Sequence, residues 1–242
     1  MSELRTMHLF AGIGGGLLAD LILGHRPVVA VEWEPYACKV LRERATDGWF
    51  PGLSVWEGDV RLFDPSEYTG VVDCIHAGFP CQDISVAGKQ AGVSEGTRSG
   101  LYREVLRISN IVRPKHIFLE NVPAIIDCGL GTVLFDLAKM GYDSRWCCFR
   151  ASDVGAPHER DRWWLLANAP GVRQPESNFN IRKHSKEWKA NSRTWNGRRM
   201  DKPGIVGVVD GIPGQMDRLR ACGNAQVPLQ AAAAWRLLGG PT

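Results

Sequence analysis

No run in these 242 residues approaches the ~18 consecutive apolar side chains that a membrane-crossing helix needs, so a helical anchor is not expected. Cysteine is scarce: seven residues, at positions 38, 74, 81, 128, 147, 148 and 222, without a CxxC spacing. An odd number without that spacing argues against a disulfide framework and against a zinc site, and for a reducing compartment. No metal is expected. Charge of one sign is also nearly lacking, since the formal balance is only +3. Its placement therefore says more than its total. Met1-Ser2-Glu3-Leu4-Arg5 runs almost at once into a strand-like segment and leaves no room for a signal peptide. No internal repeat is visible. These exclusions leave a soluble cytoplasmic protein with one large α/β domain, or one domain and a small appendage.

What is present is organised around Asp73-Cys74-Ile75-His76-Ala77-Gly78-Phe79-Pro80-Cys81-Gln82. It reads as a buried strand running into a Gly/Pro-stiffened turn, and ligands collect at the carboxyl ends of strands in open α/β sheets. Pro80 fixes its own φ and restricts Phe79, which puts Cys81 on a stiff corner. Upstream, Thr6 to Phe10 reads as a strand, followed by Ala11-Gly12-Ile13-Gly14-Gly15-Gly16 and a helix to about Leu23. A strand, a glycine turn and a helix allow close backbone approach to a ligand. Val28 to Val31 ends on Glu32, 18 positions after Gly14 and near the spacing at which an acid accepts hydrogen bonds from a ribose. Trp33 is placed to stack on an adenine. Alternatively, the glycines serve tight packing and Trp33 belongs to the core. Pro35 to Arg44 fits a helix and Leu53 to Glu57 a third strand; Asp59 then either accepts from an adenine amino group or caps the next turn.

Residues 83 to 99 are Gly/Ser-rich and read as an active-site lid. Helices follow over Gly100 to Asn110 and Gly131 to Met140, with strands over Lys115 to Leu119, Ser144 to Phe149 and Trp163 to Ala167. Glu120-Asn121-Val122 ends one strand, and Arg160 and Arg162 share one face of another. Between Asn180 and Lys202 stand eight Lys/Arg against two acids, interleaved with Trp188 and Trp195. Such a segment is an electrostatic footprint for nucleic acid, or else a solvated loop. Gly223-Asn224-Ala225-Gln226-Val227-Pro228 leads into an Ala-rich helix, Leu229 to Leu238.

Six segments, in order, resemble the DNA (cytosine-5) methyltransferase family: Phe10 to Gly15, Glu32-Trp33, Gly78 to Gln82, Glu120 to Val122, Arg160-Asp161-Arg162 and Gly223-Asn224-Ala225. The resemblance is to a short, phage- or prophage-like member, with His158 where the family usually carries Gln. It implies a doubly wound, mostly parallel α/β sheet with S-adenosylmethionine as methyl donor and a flipped cytosine in double-stranded DNA as substrate. By this resemblance the catalytic residues are Cys81 as nucleophile, a protonated Glu120 at ring nitrogen 3, Arg162 at the carbonyl oxygen and Arg160 supporting the catalytic loop. The donor is placed among Phe10, Ala11, Gly12, Gly14, Gly15, Glu32, Trp33, Asp59, Val60, Pro80, Leu101, Asn224 and Ala225. DNA contacts are expected from Gln82, Ser85, Lys89, Lys183, Lys186, Arg198 and Arg199.

The implied organisation is a catalytic and cofactor-binding domain (1–169), a small target-recognition region (170–217) and a C-terminal segment (218–242) that returns to the first strand. A monomer is expected, with a cognate restriction endonuclease as a candidate partner. Three readings stay open beside it. They are a transfer-RNA cytosine-5 methyltransferase, a non-catalytic DNA-binding regulator that keeps the fold, and a nicotinamide-dependent oxidoreductase, which leaves the Cys81 turn unexplained.

Overall fold

Residues 3–80, 101–172, 223 and 225–241 are described in the computed structural model of the chain. Apolar, β-branched runs bounded by glycine and proline make the strands. In order these are β1 (Arg5–Leu9), β2 (Arg26–Glu32), β3 (Ser54–Glu57), β4 (Cys74–Gly78), β5 (His116–Asn121), β6 (Asp143–Arg150) and β7 (Asp161–Asn168). The helices are α1 (Gly15–Leu23), α2 (Pro35–Thr46), α3 (Leu101–Val112), α4 (Ile125–Cys128), α5 (Leu130–Lys139) and α6 (Pro228–Leu237). The strands form one sheet in the order β3-β2-β1-β4-β5-β7-β6. β1 to β5 are mutually parallel, and β7 runs antiparallel to β5 and β6. This is the expected doubly wound, mostly parallel sheet. Its strand order reverses between β1 and β4, and that reversal opens a crevice at their carboxyl ends.

Strand alternation decides which helices cover which face. Met7, Leu9, Ile75, Ala77, Ile117 and Leu119 point to one side and form the larger core with α3 and α5. On α3 the stripe Tyr102, Val105, Ile108 and Val112 repeats at helical spacing and is buried. The other face carries Cys74, Phe118 and Trp164, packed against Ala19 and Leu23 of α1 and against α6. Ala231 to Ala234 of α6 are all buried, and side chains this small let the helix lie close on its neighbours.

Several local readings shift. Phe10 is not the end of β1; its φ of +57° turns the chain out of the ladder. Leu101 is only partly buried, and Tyr102 takes the core position on α3. The short helix α4, after Pro123, was not expected. The 83–99 segment lies outside the described residues, as does the 170–217 region apart from residues 170–172. The described cysteines, 38, 74, 128, 147 and 148, are all free. Among the described residues no helix is long and apolar enough to cross a membrane.

Candidate active site

The crevice is built from the ends of three neighbouring strands. After β1 the chain turns through Phe10 (φ +57°), Gly12 (+54°) and Gly14 (+93°) before entering α1. Glycine is suited to this geometry because a Cβ disfavours positive φ. The buried Glu32 carboxylate fastens this turn to the end of β2. Its Oε2 accepts from the Gly12 amide at 2.7 Å, and its Oε1 from the amides of Trp33 (2.9 Å) and Glu34 (3.0 Å). A Cβ on Gly12 would meet no atom within 4 Å, so open space lies over the turn. Trp33, 75% exposed, is not core; its ring is available beside Glu32. Asp59 caps the 3-10 turn that follows it, accepting from the Arg61 amide at 3.0 Å and pairing with the Arg61 guanidinium. Val60 is buried in the core.

The glycine string serves two purposes. Gly12 and Gly14 shape the turn, whereas Gly15 and Gly16 make room for the segment ahead of α6. A Cβ on Gly15 would lie 2.2 Å from the Gln226 carbonyl oxygen. Gly15 is thus covered by protein. Ala225 and Gln226, ahead of α6, line the cavity with Phe10, Ala11 and Gly12.

Across the crevice Glu120 ends β5, in register with Gly78 of β4 and Trp164 of β7. Its side chain is 12% exposed, and Oε1 receives Arg162 Nε at 2.8 Å. Burial pushes the Glu120 carboxyl above the usual range, although the charges of Arg162 and Arg160 and hydrogen bonds from Gln226 and Arg162 act against it. Arg160 donates to the Gly223 carbonyl at 2.5 Å, which ties the arginine pair to the C-terminal segment. Asn121 donates to the Phe79 carbonyl at 3.0 Å and accepts from the Val122 amide at 2.8 Å. It braces the turn that leads through the exposed Pro80 toward Cys81.

Beneath the crevice lies a buried polar cluster. Asp20 of α1 accepts from Thr6 Oγ1 at 2.5 Å and His8 Nε2 at 2.6 Å, with His25 Nδ1 3.5 Å away. Burial works against its charge, but the attraction of His8 and the hydrogen bonds from His25 and His8 outweigh it and hold the carboxyl well below the ordinary range. His8, Asp20 and His76 offer ligand atoms within 4.8 Å of one another. The 2.6 Å between His8 Nε2 and Asp20 Oδ2 is a hydrogen-bond length. Tetrahedral zinc ligands stand about 3.3 Å apart, given bonds of roughly 2.0–2.1 Å. The cluster is hydrogen-bonded and is not arranged as a metal centre.

The structure therefore gathers Phe10, Ala11, Gly12, Glu120 and Ala225 around one cavity and sets Arg162 and Arg160 against Glu120. Gly14, Gly15, Glu32, Trp33, Asp59, Val60, Pro80 and Leu101 do not line that cavity. Cys81, Gln82, Ser85, Lys89, Lys183, Lys186, Arg198, Arg199 and Asn224 lie outside the described residues. Six residues absent from the sequence-based set also line the cavity: Leu9, Gly16 and Gly78, and the polar His8, His76 and Gln226. For His8 and His76 the one sequence signal is polarity inside an apolar strand run, and Gln226, ahead of α6, carries none.

Residues 4–206 match the family model for C-5 cytosine-specific DNA methylase. The chain is 35% identical over 189 residues to the Type II methyltransferase M.CviJI of Paramecium bursaria Chlorella virus IL3A, covering 77% of this chain and 49% of that one. It is 34% identical over 170 residues to the Type II methyltransferase M.HhaI of Haemophilus parahaemolyticus, covering 69% and 49%. The chain spans about half the length of the curated relatives it matches. Among solved structures, a prophage-encoded Escherichia coli protein described as a putative DNA modification methyltransferase superposes with TM-score 0.58 at 27% identity, over 73% of this chain and 50% of that one. Dnmt2 of S. pombe, at 18% identity and TM-score 0.58 over 72% and 53%, shares the fold.

Proposed function

Because the chain belongs to the C-5 cytosine-specific DNA methylase family, we propose that it methylates carbon 5 of cytosine in a short duplex DNA sequence. The observation that carries this reading is Glu120. It is a buried carboxyl with its affinity for a proton raised, held by Arg162 at the strand end beside the turn that leads to Cys81.

S-adenosylmethionine fits the crevice: open space over Gly12, the Glu32 carboxylate at a strand end and the free Trp33 ring suit a nucleoside with a polar tail. Phe10, Ala11, Gly12, Glu32, Trp33, Asp59 and Ala225 would hold it, with Asn224 from the far side. When bound it supplies an electrophilic methyl group on a sulfonium.

Cytosine carbon 5 is too weak a nucleophile to take that methyl unaided. The Cys81 thiolate adds to carbon 6, and Glu120 gives its proton to ring nitrogen 3 as charge develops there. Arg162, within reach of the same carboxyl, binds the carbonyl oxygen. Carbon 5 is then enamine-like and would take the methyl, with the neutral thioether as leaving group; water takes the carbon 5 proton, ring nitrogen 3 returns its proton to Glu120, and expulsion of the thiolate restores the ring. A cytosine inside the stack cannot meet Cys81 on one face and the donor on the other, so the base is flipped out.

Residues 1–169 supply the chemistry, 170–217 the DNA reading and 218–242 the return to the glycine turn. Gln82, Ser85, Lys89, Lys183, Lys186, Arg198 and Arg199 contact DNA. One chain carries all the reacting groups, so a monomer suffices, and the modified site would be shielded from an endonuclease of the same specificity.

The test is incubation with labelled S-adenosylmethionine and unmethylated genomic DNA or transfer RNA, followed by bisulfite sequencing. Methylation of one short duplex motif is expected, with Cys81→Ser inactive yet still binding the donor. Label only in transfer RNA, or near-normal turnover by Cys81→Ser, would overturn this reading.

A further inference from the structure

Resting on that reading, we propose that Gln226 is a positioning residue for Glu120, its side-chain amide bridging the Glu120 carboxyl and the buried His76 ring. Gln226 stands one position beyond the last of the six resembling segments.

The amide is boxed between two glycines of different elements. A Cβ on Gly78 of β4 would lie 2.8 Å from Gln226 Nε2 and 2.9 Å from Glu120 Oε2. A Cβ on Gly16 of α1 would lie 2.8 Å from Gln226 Oε1, with His76 Cε1 at 2.9 Å and Nδ1 at 3.1 Å. Side chains at either position would fill the space the amide occupies. Gln226 Nε2 stands 3.5 Å from Glu120 Oε2, a long contact of the kind that tightens when a catalytic site fills.

The His76 end fixes the orientation. Nε2 faces Glu120 Oε2 and Oε1 faces His76. His76, hydrogen-bonded to Gln226, is kept neutral: burial first, and the neighbouring His8 second, bring it down to about 3. Donating from Nδ1 to Oε1 makes Nε2 the bare acceptor, and Nε2 is the ring atom without a partner. A flipped amide would aim Oε1 at the carboxylate and leave His76 with a buried N–H unpaired, the costlier omission. Glu120 is then held on both oxygens, by the cation Arg162 on Oε1 and by a neutral amide on Oε2. A second cation on Oε2 would favour ionisation, whereas an amide fixes the plane of the carboxyl with a smaller pull on its proton.

The groups facing Glu120 are Arg162 of β7, Arg160 just ahead of that strand, Gln226 ahead of α6 and His76 behind Gly78 on β4. Without the amide the carboxyl should hold its proton more tightly. The experiment is a carbon-13 NMR titration of glutamate-labelled full-length protein, with the Glu120 signal assigned by its loss in Glu120→Gln. Gln226→Met should raise the Glu120 midpoint by about 0.5–1 pH unit, the equivalent of one lost hydrogen bond. Gln226→Glu, close to isosteric, should raise it further, because two adjacent carboxyls share a proton; it also serves if the Met variant does not fold. In methyl transfer, kcat of Gln226→Met should fall roughly tenfold, a loss of orientation, with KM for DNA little changed and the alkaline limb displaced upward. A Glu120 midpoint unmoved in folded variants overturns the proposal even if the enzyme methylates DNA. Failure of the wild type to methylate defeats the proposed reaction, and the NMR midpoint still decides the role of Gln226.

Discussion

A carboxylate away from water persists only where donors close on it, and Asp20 has Thr6, His8 and His25 around it. Asp20→Asn keeps the shape and turns one acceptor into a donor aimed at groups that already donate. Breaking such a buried pair costs about 3–5 kcal/mol, so urea unfolding at pH 7 should show the variant weaker by that order. The sign follows from the depressed carboxyl: its stabilisation is complete wherever an unfolded Asp is already ionised, and fades only as pH falls below about 4. A deficit already shrinking between pH 7 and 5, where an Asp stays ionised folded or unfolded, would contradict assigning the loss to the Asp20 charge. His8, His76 and Gln226 were not legible as site residues. Which polar side chains meet depends on strand register and on where the C-terminal segment lands, and neither is a property of a short window. Glu120, Arg160 and Arg162 were legible because each sits at the end or start of an apolar run.

At the level of elements, α1 and the segment before α6 meet backbone against backbone. A methyl on Gly15 would fall 2.2 Å from the Gln226 carbonyl oxygen, which cannot rotate aside. Gly15→Ala should therefore cost about 1–3 kcal/mol by forcing the two apart. That corresponds to a fall in Tm of roughly 2–4 °C per kcal/mol for a chain of this size. At Gly131, near the start of α5, an added methyl would meet nothing within 4 Å. Gly131→Ala is the control, neutral or stabilising by about 0.5–1 kcal/mol. Equal Tm values for the two variants would contradict tight docking of α1 on this segment. The sequence could be read for the strands because their apolar runs are bounded by Gly, Pro and acids. It could not be read for the division of the glycine string, because a glycine that shapes a turn and one that admits a neighbour look alike. The antiparallel β6–β7 pair and the short α4 were equally hidden, since pairing direction and a single helical turn leave no periodic mark.

For the whole molecule, pH couples stability to the geometry of the crevice. His76 and His116 are both buried and both depressed, by burial before any other cause, His76 to about 3. An unfolded histidine takes its proton near pH 6.5, so both groups favour the folded chain fully above that value and progressively less as pH falls. Glu120 acts with the opposite sign. Its raised carboxyl takes up a proton in the folded state before an unfolded Glu does, which offsets part of the loss on approaching the ordinary carboxylate range. Stability should thus decline as pH falls through about 6.5, approaching roughly 2.7 kcal/mol per unit for two protons less the share that Glu120 returns, and the His76 part persists until that ring itself titrates near 3. His76→Asn removes one of them and should make that limb shallower by about 1.4 kcal/mol per unit. Urea midpoints collected every half unit from pH 7.5 to 4.5 would measure both slopes. Parallel curves would mean that His76 carries a proton in the folded protein. Its ring would then no longer be the neutral Nδ1 donor, with a bare Nε2, that we assign beside the Gln226 amide, so this stability measurement also bears on how Glu120 is held.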